Sequence, residues 1–151
     1  VAVACVALAV LVIGGFGAYR YLTTFRTSTE LPAAVVEQSN IAIYAPVKPP
    51  TGFSLQTNSI SSTQEAFVYS YSYENGKTLA ITVQPLPKGF NASQFKPDKE
   101  VQTSIGRAYI VDLEMRTTAA IVTEDSLIFI NAPQKIGVDV LEQFINSMQH
   151  A

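Results

Sequence analysis

The sequence predicts an α+β fold: an N-terminal transmembrane helix, then a curved antiparallel sheet of five to six strands packed against one C-terminal amphipathic helix. Three observations predict it. Val1 to Ala18 (VAVACVALAVLVIGGFGA) holds no charged or strongly polar side chain. Apolar and polar residues alternate on both sides of Asn75-Gly76. Near the end, Val138, Leu141, Ile145 and Met148 recur at three- and four-residue spacing, with Phe144 widening the stripe.

Taking the elements in order, residues 1–22 read as the membrane helix. Eighteen helical residues cover about 27 Å, close to the hydrocarbon thickness of a bilayer. Val6, Leu8, Leu11, Ile13 and Phe16 would be the anchoring side chains, facing lipid or other apolar helices. Tyr19 and Tyr21 would lie in an interfacial belt, beside Arg20 and Arg26. A cleaved signal peptide has a shorter apolar region and a small-x-small end, which Gly15-Phe16-Gly17 matches poorly. The chain starts at Val1, so upstream residues or processing are both open, and membrane orientation is not fixed by Arg20 and Arg26 alone.

Residues 23–40 are rich in Thr and Ser around Pro32 and read as a stalk, with a short helix at 33–38. Residues 41–151 form the domain. Pro46, Pro49 and Pro50 disfavour regular structure after Ile41 to Tyr44, and Phe53 to Ile60 is extended. Ala66 to Glu74 and Lys77 to Gln84 make a hairpin, because Asn-Gly supplies the two positive φ values of a type I′ turn. Arg107 to Leu113, Thr117 to Thr123 and Leu127 to Asn131 are further strands, and the helix follows Pro133.

A two-residue turn pairs Glu74 with Lys77. Tyr69, Tyr71, Tyr73 and Phe67 then share one face with Thr78, Ala80, Thr82 and Gln84. Leu79, Ile81 and Val83 fall on the other, where the terminal helix is expected to pack. The tyrosine face would be outer or concave. It is read either as structural cross-strand pairing or as a platform for a peptide, glycan or lipid ligand.

Composition excludes some classes. Beyond Arg26 there are eight Lys or Arg against twelve Asp or Glu, which argues against a nucleic-acid partner. Cys5 is the one cysteine, and His150 is the one histidine, next to the terminus. Neither a thiolate metal site nor a histidine-based triad is expected, and no cofactor fingerprint is present. The acidic pairs Asp112/Glu114 and Glu124/Asp125 could serve glycoside hydrolysis, or calcium binding if other oxygens converge, but solvated surface charge is the preferred reading of both. The chain is therefore read as non-catalytic.

The segment IYAPVKPPTGFSL, followed in order by LAITVQP, IGRAYIVD, TEDSLIFINAP and VLEQFINSM, resembles an uncharacterised bacterial domain family. That family forms the extracytoplasmic part of single-pass membrane proteins. The resemblance implies a curved sheet with a helix against it, similar to lipoprotein-carrier and envelope-sensor domains, and a binding or sensing role without catalytic residues. A second, weaker resemblance is to processed type IV pilins, through the apolar start and Ile13-Gly14, although Cys5 stands where pilins carry glutamate. It implies a homo-oligomeric surface filament with the apolar helix in its core.

Overall fold

The structure, a computed structural model, describes residues 27–28 and 30–151. The expected membrane helix over residues 1–22, with Val6, Leu8, Leu11, Ile13 and Phe16, lies outside the described residues. Among the described residues no helix is long and apolar enough to cross a membrane.

The strands are β1 (Thr27–Ser28), β2 (Tyr44–Pro46), β3 (Ser54–Ser62), β4 (Phe67–Tyr73), β5 (Lys77–Pro85), β6 (Lys99–Gln102), β7 (Arg107–Asp112), β8 (Thr117–Val122), β9 (Ser126–Ala132) and β10 (Met148–His150). The helices are α1 (Ala33–Glu37) and α2 (Val138–Asn146). An eight-stranded sheet runs in the order β1-β3-β4-β5-β9-β8-β7-β6, and β10 pairs with β2 in a two-stranded sheet. All pairings are antiparallel. Two meanders, β3-β4-β5 and β6-β7-β8-β9, thus join along β5 and β9.

The α+β expectation of five to six strands and one helix is corrected to a mainly β architecture. Among the described residues, α-helix is confined to the five residues of α1 and the nine of α2, with one 3-10 turn at Ala92–Gln94. Four strands account for the difference, β1, β2, β6 and β10. β1 comes from the segment read as a stalk. β2 forms despite its terminal Pro46, which a strand end tolerates because no ladder donor is needed there. β10 takes the last turn of the expected helix: α2 stops at Asn146, where Ser147 Oγ donates to the Phe144 carbonyl at 2.6 Å. Met148 still reaches the core from an extended backbone.

The β4–β5 hairpin corrects the expected register. Tyr73 pairs with Lys77, leaving Glu74, Asn75 and Gly76 as a three-residue loop, all at positive φ. The shift of one residue moves the whole return strand to the opposite face. Leu79, Ile81 and Val83 now stand across from Tyr71, Tyr69 and Phe67. Magnitudes explain the choice. Holding Glu74 at positive φ costs about 1–2 kcal/mol. Burying each aliphatic side chain contributes about 1.5–3 kcal/mol. Three of them outweigh one strained residue.

The core lies on this shared face. Ile81, Ile130 and Ala119 form one row across the sheet, and Val83, Ile128, Ile121 and Ala108 form the next. Leu141, Phe144 and Ile145 of α2 cover them, with Ile41, Ile43 and Met148. Lys99 Nζ pairs with the Glu142 carboxylate and ties α2 to the β6 edge.

Candidate functional site

The expected ligand platform is inside the molecule. Phe67, Tyr69 and Tyr71 have no exposed surface, and Tyr73 is 8 % exposed. The helix expected on the opposite face packs here instead: Phe144 meets Tyr71 edge-on, with ring centroids 5.2 Å apart, and Phe53 at 5.0 Å. Phe53 in turn stacks on Tyr73 at 4.4 Å. The register shift is the physical reason, since it gathers rings and aliphatic side chains on one face, and that face attracts the apolar stripe of α2.

The buried hydroxyls differ. Tyr69 donates to the Tyr44 carbonyl at 2.5 Å. The Tyr71 hydroxyl is buried without a hydrogen-bond partner among the described residues. Burial pushes the Tyr69 phenol well above its ordinary value and raises Tyr71 to about 12. Both stay neutral and serve packing.

The acidic pairs separate on folding. Asp112 accepts from Thr117 Oγ1 at 3.2 Å and pairs with Lys135 Nζ at 3.2 Å, tying the β7–β8 hairpin to the segment before α2. Glu114 is exposed at the tip of that hairpin. Asp125 accepts hydrogen bonds from Ser126 Oγ (2.8 Å), Tyr44 Oη (3.1 Å) and Thr123 Oγ1 (3.2 Å), while Glu124 is exposed. The Ser126 hydroxyl is the largest cause holding the Asp125 carboxyl below its usual range, with Tyr44 and Thr123 adding to it. The Tyr44 phenol is raised, chiefly by burial. His150 meets the Tyr44 ring edge-on at 5.2 Å. These contacts cap the β8–β9 turn and fasten it to the small sheet. Among the described residues no three His, Cys, Asp or Glu side chains converge as metal ligands.

Sequence reasoning missed a groove of about 360 Å³ between α1 and β2. Leu31, Ala33 and Val36 form one wall, and Ala45, Pro46 and Val47 form the other. Val47 is 59 % exposed. Glu30 and Glu37 also line the groove and set an acidic rim on apolar walls. The volume lies at the lower end of small-molecule sites. α1 contributes no buried residue and no side-chain cap bond. Leu31, Val35 and Val36 are nevertheless partly buried against the core, so this wall is seated on the domain. The signals were a short helix around residues 33–38 and apolar residues among prolines, neither of which locates a groove without the β2–β10 pairing. Comparison of the chain with family models, with curated proteins and with solved structures finds no match.

Proposed function

We propose that the chain is a non-catalytic binding or sensing module of the cell envelope whose ligand seats between α1 and β2. The groove carries this reading. Its walls are apolar, its rim is acidic, and one wall is a five-residue helix with no buried residue. The ligand class that fits is a short aliphatic group bearing a cationic head, such as an amine. Placement in the envelope rests on the resemblance of Ile41 to Gln149 to extracytoplasmic domains.

Nuclear magnetic resonance titration of the full chain with pentylamine, and separately with hexanoate, tests it. The expected outcome is amide shifts confined to Val36, Ala45 and Val47, larger for the amine than for the acid. Ala33→Trp, which fills the groove from the exposed side of α1, should abolish them, and Glu37→Lys should weaken the amine response alone. Shifts scattered over the surface, or none, would overturn the assignment.

A further inference from the structure

The other face of the main sheet lies outside the main core cluster and the groove, although Ser70, Thr82, Ala120 and Leu127 on it are buried between their neighbours. Across it runs the row Val68, Thr82, Phe129, Ala120 and Tyr109, and beside that the row Ser70, Ala80, Asn131, Thr118 and Val111. Val68, Ala80, Phe129 and Tyr109 are partly exposed to solvent. An antiparallel sheet with one solvated face normally alternates apolar inside with polar outside. Here the strands β4, β5, β9 and β8 place no charged side chain on the outer rows, although the domain holds twenty charged residues beyond Arg26. Interface centres show the same depletion of charge.

The face is also uneven in a regular way. Over β4 and β5, beyond Val68 and Gln84 at one end, it is a trough of small side chains: Ser70, Ser72, Thr78, Ala80 and Thr82. Over β9 and β7 it is a ridge, where Phe129 and Tyr109 flank Ala120 in their row. Phe95 of the β5–β6 connection stacks on Tyr109 at 5.7 Å, with Phe90 behind it at 5.8 Å.

We propose that this face pairs with the same face of a second copy of the chain, ridge into trough. A twofold axis parallel to the strands, between β5 and β9, carries the ridge of each copy over the trough of the other. A twofold axis across the strands would set ridge on ridge, so shape selects the first. An isologous contact requires this self-complementarity. Five strands at about 4.8 Å, each with about 20 Å on the face, give about 500 Å² per copy. The pair then buries about 1,000 Å², the floor for a specific interface. That predicts a dimer that dissociates on dilution.

The test uses the full chain with Cys5→Ser, so that no native thiol interferes. Ala80→Cys and, separately, Asn131→Cys place one thiol beside the proposed axis, and Ala34→Cys on exposed α1 is the control. Near-ultraviolet dichroism checks that each variant is folded, and either axis-side variant suffices. The expected result is a concentration-dependent dimer in sedimentation, efficient joining of two copies by a short bis-maleimide at Ala80→Cys or Asn131→Cys, and little at Ala34→Cys. Thr78→Lys, which adds charge to the trough, should weaken the dimer by about tenfold or more. A monomer at all concentrations would overturn the proposal. So would association in which Ala34→Cys cross-links as well as the axis-side positions, which would place the contact elsewhere, the apolar residues 1–22 included. With Cys5 retained, a link within one chain from Ala80→Cys to Cys5 would show that the chain's own N-terminal segment covers the face, and would also overturn it.

Discussion

On one side of β4 and β5 stand Phe67, Tyr69, Tyr71, Tyr73, Leu79, Ile81 and Val83; on the other stand Val68, Ser70, Ser72, Thr78, Ala80, Thr82 and Gln84. The first set is almost wholly buried, while most of the second is partly exposed. Both sets come from the same two strands and the same alternation. What separates them is volume and apolar area, and the helix goes where those are greatest. Tyrosine is legible in a sequence as a surface residue because of its hydroxyl. In this hairpin its ring decides the outcome, since an aromatic side chain buries about 150–250 Å².

The largest effect should come from comparing one phenylalanine on each face. Phe144 is fully buried against Phe53 and Tyr71. Phe144→Ala is expected to cost about 3–5 kcal/mol in chemical denaturation, from lost transfer energy and the cavity left behind. Phe129→Ala on the open face should cost about 1 kcal/mol in the monomer. Equal costs would mean that the open face is packed as tightly as the core.

A smaller effect tests why the register is what it is. Glu74 sits at φ 22°, where a side chain is strained, and its ion pair with Lys77 is a long 3.8 Å on the surface. Glu74→Gly should therefore stabilise the domain by about 1 kcal/mol and leave the pairing of Tyr73 with Lys77 unchanged. A loss of stability would mean that Glu74 holds the loop by its side chain and that the strain argument fails.

This hairpin also shows how far the sequence could be read. Strands over Phe67–Tyr73, Lys77–Pro85, Arg107–Asp112 and Thr117–Val122 are legible within a residue or two, because alternation is local. The face assignment is not. It depends on whether the turn spends two residues or three, and Asn75-Gly76 signals only the first. That one residue inverted the tyrosine face, moved α2 across the sheet and removed the expected platform. The small sheet was hidden for another reason. Tyr44–Pro46 and Met148–His150 are about a hundred residues apart, and three-residue strands carry no period. The groove depends on that pairing, so nothing local announces it.

The smallest effects separate two tyrosines on the same face. Tyr69 and Tyr71 are both without exposed surface, yet among the described residues only the Tyr69 hydroxyl has a partner. Tyr69→Phe leaves the Tyr44 carbonyl without this donor and should cost about 1 kcal/mol. Tyr71→Phe removes a polar atom that gains nothing from burial, so stability at pH 7 should be unchanged or slightly greater. Alkaline titration sharpens the contrast. The Tyr71 phenol is raised to about 12 by burial, so the folded state disfavours the phenolate that the unfolded chain forms near 10. Its contribution is fully present below the unfolded value and is lost as pH rises through that window. Tyr71→Phe should therefore flatten part of the alkaline decline measured by denaturation between pH 9 and 12. An unchanged decline would place the phenol in contact with water, and the ring face would then be open where the packing of Phe144 closes it.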